Sequence, residues 1–126
     1  MLAAKDAMAT IGVKDLTAAK KFYGGTLGLK QAGAEGPGVV TYRSGNSTIV
    51  VYQSQFAGTN KATSATWGLG GELESVVQTL KNAGVAFEHY DDLPGLRREG
   101  DIHFLGDFKA AWFRDPDGNI LHINSG

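Results

Sequence analysis

Hydrophobic residues follow two different periods in the first third of the chain. Residues 9–13 alternate apolar with small or polar side chains, which predicts a half-buried strand. Residues 16–27 carry apolar side chains at every third or fourth position, which predicts an amphipathic helix. Asp15 is a suitable N-cap for this helix, and Gly28 is placed to end it.

Three β-rich runs follow this helix and complete a first set of elements. They cover residues 29–34, 39–43 and 48–52, and the turn-forming residues 36–38 and 44–46 separate them. This order predicts a strand, a helix and three further strands.

The same order restarts after a polar, turn-rich segment. The second set is predicted as a strand at 65–69, a helix at 73–84, and strands at 85–89, 109–114 and 119–124, with a charged loop at 91–101. Val13 and Gly28 are matched 56 residues later by Leu69 and Gly84, which indicates an internal repeat.

The repeat predicts an α+β fold built from two tandem βαβββ modules. Module one is placed at about residues 6–54, the linker at about 55–63 and module two at about 64–126, all within a single domain. One module alone leaves a sheet face bare. Two modules are therefore expected to form one curved, eight-stranded mixed sheet, with the helices outside and a concave cleft inside.

Composition narrows the possible partners and compartments. The chain has 126 residues, no cysteine, and 12 basic against 13 acidic side chains. No thiolate metal site or disulfide is possible, and the balanced charge predicts no nucleic-acid partner. The apolar runs are strand-like in length and the first residues lack a signal-peptide core, so we expect no membrane span and a cytoplasmic location.

Several short motifs, in order and over nearly the whole chain, resemble one known family. The motifs are Gly-Val-Lys-Asp-Leu at 12–16, Phe-Tyr at 22–23, Leu-Gly-Leu at 27–29, Leu-Lys-Asn-Ala-Gly-Val at 80–85 and Trp-Phe-Arg-Asp-Pro-Asp-Gly-Asn at 112–119. Together they are similar to the vicinal-oxygen-chelate superfamily, which includes glyoxalase I, bleomycin resistance proteins and extradiol dioxygenases. The segments 52–63 and 89–91 also resemble a branch of that superfamily to which no particular chemistry attaches. The resemblance implies a homodimer and a cleft that binds a small organic ligand.

Metal-dependent members of the superfamily hold a divalent ion with His, Gln or Glu from four strands. The matching positions here are Met8, Val50, Ser64 or Ala65, and His122, so a single donor remains. Because a functional site generally needs at least three protein ligands, we predict no metal and no other cofactor. An atypical site for Zn, Ni, Mn or Fe that uses His122 is the alternative, and a contribution of His89 or His103 stays open.

The predicted cleft contains aromatic and polar side chains. Alternation along the last strand places His122 and Asn124 on one face. Tyr52 is predicted to point into the same cleft, and Trp112 is assigned to the cleft with core packing as the alternative. Phe56 opens the linker and is expected to cover the cleft. These five residues are the predicted ligand-binding set, and His122 is the candidate general base because its ordinary pKa lies near neutrality.

Three functions remain compatible with the sequence. The first is a protein that binds a small organic molecule in a metal-free cleft. The second is a lyase or dioxygenase-type enzyme with an atypical divalent metal site at His122. The third is an interaction module whose cleft has lost its ligand.

Overall fold

Nine strands form two separate sheets, and each half of the chain contributes one helix. The computed structural model describes residues 1–126. The first half contains β1 (Ala9–Val13), α1 (Leu16–Lys20) continued by a π-helical turn (Lys21–Thr26), β2 (Lys30–Gln31), β3 (Val39–Ser44) and β4 (Ser47–Gln53). The second half contains β5 (Thr63–Gly68), a 3-10 turn (Gly70–Glu72), α2 (Leu73–Asn82), β6 (Arg97–Glu99), β7 (Ile102–Leu105), β8 (Phe108–Arg114) and β9 (Ile120–Asn124).

The two sheets repeat one topology. The first has the strand order β1-β4-β3-β2, and the second has the order β5-β9-β8-β7-β6. In each sheet the first strand runs parallel to the last strand of its half, and the other pairs are antiparallel. The predicted α+β class is therefore confirmed, and the topology agrees with two βαβββ modules.

The predicted single eight-stranded sheet is not what the structure shows. β1 and β5 lie against each other, but no hydrogen-bonded ladder joins them, so the two sheets stay distinct. The predicted strand at 85–89 is reduced to one bridge between Phe87 and Phe113. β7 pairs with the first half of β8, and Phe87 bridges its second half.

The segment predicted as a charged loop contains a strand. β6 pairs with β7, and residues 100–101 form the tight connection between them. Gly100 has a φ of 61°, a conformation that glycine adopts without a steric penalty. The resulting hairpin gives the second sheet a fifth strand.

The start of α1 and the C-terminal ends of both helical segments carry the residues that the sequence predicts there. Asp15 caps α1, since its Oδ1 accepts a hydrogen bond of 3.1 Å from the Ala18 amide. Gly28 and Gly84 follow the two helical segments with φ values of 72° and 92°. The repeat seen in the sequence therefore corresponds to two matching helix ends. Neither helix combines the length and the apolar character that crossing a lipid bilayer requires.

The hydrophobic core lies between the helices and one face of both sheets. It is a single cluster of buried residues: Ile11, Val13, Ala19, Tyr23, Val40, Tyr42, Ile49, Val51, Leu73, Val77, Leu80, Ala111, Phe113, Leu121 and Ile123. Trp67 packs against this cluster, and its indole N–H donates to the Ser44 hydroxyl at 2.8 Å. The opposite faces of the sheets are left without a helix.

Asp115 organises the turn between β8 and β9 and is only 5% exposed. Its Oδ1 accepts hydrogen bonds from the backbone amides of Asp117 and Asn119. Its Oδ2 accepts from the Tyr23 hydroxyl and the Asn119 side chain, both at 2.8 Å. Burial and the adjacent carboxylate raise the pKa of Tyr23, so its hydroxyl stays a donor.

The same turn also connects to β1 and the segment after it. The Asn119 side chain donates to the Gly12 carbonyl at 2.8 Å, and the Lys14 amide donates to Asp117 Oδ2 at 3.0 Å. Hydrogen bonds from one turn of the second half therefore fix its position against the first half.

Candidate functional site

The faces of the sheets turned away from the helices are called the open face. On β8 and β9 the side chains of Phe113 and Leu121 enter the core, so alternation turns Trp112, His122 and Asn124 to the open face. Trp112 and His122 are directly paired across the two strands. The structure therefore brings together three of the five predicted ligand-binding residues.

His122 uses both ring nitrogens within the protein. Asn124 Oδ1 accepts from the Gly126 amide at 2.9 Å, which orients the Asn124 Nδ2 toward His122 Nε2 at 3.1 Å. His122 Nε2 is therefore an acceptor, and Nδ1 carries the proton and donates to the Ala111 carbonyl at 3.2 Å. Burial lowers the pKa of His122, and the bond to Ala111 opposes this only in part, so the ring is neutral at neutral pH.

Four rings form an aromatic cluster on the open face: Tyr90, His103, Trp112 and His122. Trp112 is its centre, because His122 stacks on it with ring centroids 4.5 Å apart. Tyr90 and His103 meet Trp112 edge-on at 5.3 and 5.0 Å. These contacts hold the indole of Trp112 in one orientation.

Two polar atoms of this cluster are buried without a partner. His103 is 0% exposed, and its Nε2 accepts a hydrogen bond of 2.9 Å from the Tyr90 amide. The proton must then sit on His103 Nδ1, which faces the Ala110 backbone without a hydrogen bond of normal geometry, and the Tyr90 hydroxyl has no partner. Burial lowers the pKa of His103 and raises that of Tyr90, so both groups are neutral donors.

The remaining histidine lies outside the cluster. His89 is exposed, and its Nε2 lies 2.8 Å from Asp101, which also pairs with Lys81. In the sequence, His89 and His103 are equivalent candidates, and no pattern singles out Tyr90. The pairing of β7 with β8 would have separated them, because it puts His103 beside Ala110 on the face of Trp112.

A depression of about 380 Å³ opens beside the cluster and is called the Trp112 depression. It is lined by Lys61, Ala62, Thr63, Tyr90, Leu93, Trp112 and Ile120. Its volume falls within the range of roughly 300–1,000 Å³ that is usual for small-molecule sites.

A smaller cavity of about 190 Å³ lies on the helix side of the sheets. Eight of its nine lining residues are hydrophobic, and the ninth, Ser44, already accepts the indole proton of Trp67. Ligand sites generally contain a few polar groups that orient the ligand. The Trp112 depression offers such groups, and the helix-side cavity does not.

The other two predicted ligand-binding residues lie apart from the aromatic cluster. Tyr52 is on the open face of the first sheet and is 40% exposed, with its ring against Gly12. Phe56 lies in the connection before β5 and is 69% exposed. Neither residue lines the Trp112 depression.

The residues that the resemblance places at metal positions do not fit a divalent ion. Met8 lies before β1 and is exposed, while Val50, Ser64 and Ala65 offer no strong ligand. His122 is the one imidazole among them, and its Nε2 is already held by Asn124. No three His, Asp or Glu side chains of residues 1–126 lie close enough together to hold an ion.

The comparison with protein families agrees with this fold. Residues 7–123 match the model of the Glyoxalase/Bleomycin resistance protein/Dioxygenase superfamily. The chain therefore belongs to this superfamily. No curated protein matches the chain significantly.

Solved structures with the same fold share little sequence with the chain. Lactoylglutathione lyase from Agrobacterium tumefaciens is similar with a TM-score of 0.70 and 17% identity, over 97% of this chain and 94% of that one. The fosfomycin resistance protein FosX from Mesorhizobium loti gives 0.69 and 11%, over 98% and 92%. A glyoxalase/bleomycin resistance protein/dioxygenase from Alicyclobacillus acidocaldarius gives 0.69 and 22%, over 98% and 93%. At these identities the likeness establishes the fold alone.

Proposed function

We propose that this protein binds a small, planar organic molecule in the Trp112 depression, without a metal of the superfamily type. The observation that carries the proposal is the position of Trp112, which is half-buried, lines the depression and stacks on His122. A fixed indole presents a flat apolar surface, which favours planar ligands through offset or edge contacts.

His122 and Asn124 have supporting roles in this proposal. The hydrogen bonds from His122 to Ala111 and from Asn124 to His122 fix the imidazole, which in turn supports the indole. A general-base role for His122, or a role as metal ligand in a lyase or dioxygenase-type enzyme, requires Nε2 to leave Asn124. Binding without chemistry needs no such rearrangement.

Tyr52 and Phe56 enter the proposal as outer contacts. Both expose large apolar side chains, and a second subunit or a ligand would shield them from water. We include homodimerisation and a cytoplasmic location in the proposal, and sedimentation analysis at two protein concentrations tests the first.

A direct test compares two leucine variants on strand β8. Trp112→Leu removes the flat surface, whereas Phe108→Leu changes an exposed aromatic of the same strand that does not line the depression. Calorimetric titration with 2-naphthoate, 2-naphthamide and cyclohexanecarboxylate provides the readout. We expect the wild type to bind at least one naphthalene compound with a Kd of about 1 mM or tighter, which is modest for a ligand of this size.

Trp112→Leu should weaken this binding about tenfold or more, and Phe108→Leu should leave it unchanged. Equal binding of the naphthalene compounds by wild type and Trp112→Leu would contradict the proposal. Tighter binding of the non-planar cyclohexane compound would contradict it as well.

A further inference from the structure

The Trp112 depression has an unbalanced charge. Lys61 is the only charged residue among the seven that line it, and no carboxylate does. Lys20, Lys81 and Lys109 each pair with an acidic side chain, whereas Lys61 pairs with none. The wall of the depression therefore carries one positive charge that the protein does not neutralise.

Tyr90 also lines this wall, and its hydroxyl is a hydrogen-bond donor that lies below the surface. Its hydroxyl is buried and has no partner. Burial and the nearby Glu88 carboxylate raise the pKa of Tyr90 more than Arg114 lowers it, so the phenol stays protonated. A buried donor without an acceptor is costly, and an acceptor supplied by a ligand removes this cost.

The rest of the lining is apolar and partly flat. Trp112, Leu93 and Ile120 contribute large apolar side chains, and Ala62 contributes a small one. A ligand that satisfies the whole lining therefore combines a planar apolar body with an anionic acceptor.

We propose that the ligand is an aromatic carboxylate, with its ring against Trp112 and its carboxylate directed to the Lys61 ammonium and to the Tyr90 hydroxyl, which a turn of the Tyr90 side chain brings to the surface. This inference rests on the proposed function and narrows it to one ligand class. It requires no metal and no bond-making step.

Paired probes of equal size test the carboxylate directly. 2-Naphthoate and 2-naphthamide share the ring system but differ in charge, and 2-naphthyl phosphate replaces the planar anion with a tetrahedral one. We expect wild-type protein to bind 2-naphthoate at least fivefold more tightly than either of the others. Because the attraction involves an exposed ammonium, added salt should reduce this preference.

Variants of Lys61 and Tyr90 assign the preference to residues. Lys61→Gln should reduce 2-naphthoate affinity about threefold or more without affecting 2-naphthamide, and Lys61→Arg should retain it. Lys30→Gln, at an exposed lysine of the other sheet, is the matched control. Tyr90→Phe should weaken 2-naphthoate binding about tenfold and leave the thermal stability of the free protein unchanged or higher, since it removes an unpartnered hydroxyl.

The outcomes separate the two proposals. If no naphthalene compound binds, the proposed function itself fails. If 2-naphthamide or 2-naphthyl phosphate binds as tightly as 2-naphthoate, or if Lys61→Gln leaves 2-naphthoate binding intact, the proposed function stands and the carboxylate assignment is overturned.

Discussion

His122 illustrates how two neighbouring groups can occupy both nitrogens of an imidazole. The superfamily resemblance suggested a donor for an ion, yet Ala111 and Asn124 engage both of its nitrogens. The same bonds support the stacked Trp112. At the scale of the residue, the side chain predicted as a general base also stacks on Trp112.

Removing the donor to His122 Nε2 should change how the ring titrates. In the wild type, we expect an NMR titration of the imidazole C2–H to give a pKa below the ordinary value of about 6.5. Asn124→Ala frees Nε2 to accept a proton, so the pKa of His122 should rise toward that value. Asn46→Ala, in an exposed turn, is the control. An unchanged His122 titration in Asn124→Ala would contradict the hydrogen-bond arrangement.

The lowered pKa values of His103 and His122 also determine how the stability of the protein depends on pH. His103 and His122 both have lower pKa values in the folded chain, so the unfolded chain binds their protons more readily. Their contribution to the free energy of unfolding is complete above about pH 6.5 and falls as the pH drops through the folded-state values.

At the scale of the element, the turn between β8 and β9 has more importance than its sequence suggests. Asp-Pro-Asp-Gly-Asn predicts a good turn and nothing beyond it. In the structure its side chains bond to Gly12, Lys14 and Tyr23 of the first half. The turn therefore helps to set the relative position of the two sheets.

Substitution of Asp115 tests this role. Asp115→Ala leaves the Tyr23 hydroxyl and the Asn119 donors without their acceptor, and we expect it to lower the free energy of unfolding by about 3 kcal/mol or more. Tyr23→Phe removes one of these bonds and should cost about 1 kcal/mol. Urea denaturation measures both, with the exposed Asp92→Ala as control. A loss below about 1 kcal/mol in Asp115→Ala would contradict the importance of the turn.

Gly58 shows a close approach of the connecting segment to the same turn. Its φ is 73°, and a Cβ built there would lie 1.9 Å from the Asp117 carbonyl oxygen. Left-handed strain alone costs about 1–2 kcal/mol in a residue with a Cβ. Because the close contact adds to this cost, Gly58→Ala should lower the free energy of unfolding by several kcal/mol. Gly45→Ala, with a φ of 58° and open space around it, isolates that strain. Equal losses in the two thermal unfolding curves would show that the close contact is absent.

The elements that the sequence predicted are those with regular apolar spacing. Alternation and helical periodicity identified β1, β8, β9 and both helices, and alternation placed His122 and Asn124 on one face. β6 was missed because its Arg97, Arg98 and Glu99 carry charge, as edge strands often do, and hydrophobic alternation cannot detect them.

Two of the four residues in the aromatic cluster, Tyr90 and His103, could not be placed together from the sequence. Tyr90 and His103 are 13 residues apart, and only the fold of the β6–β7 hairpin brings them together. The separation of the two sheets was also beyond the sequence, because it depends on contacts between distant strands.

At the scale of the whole molecule, two sheets share one core and leave an open face. The superfamily fold is retained. The residues that the resemblance places at metal positions include one imidazole, His122, whose Nε2 accepts from Asn124. The Trp112 depression and the helix-side cavity lie on opposite sides of the second sheet, so a ligand in one leaves the other untouched. The two cavities can therefore be told apart by one experiment.

The most direct test uses the two indole N–H signals of the protein. In a heteronuclear NMR titration with 2-naphthoate, the Trp112 signal should shift progressively to saturation. The Trp67 signal should stay in place, because its indole N–H is hydrogen-bonded to the Ser44 hydroxyl on the helix side. A shift of the Trp67 signal with the Trp112 signal unchanged, or no shift of either signal at millimolar ligand, would contradict ligand binding in the Trp112 depression.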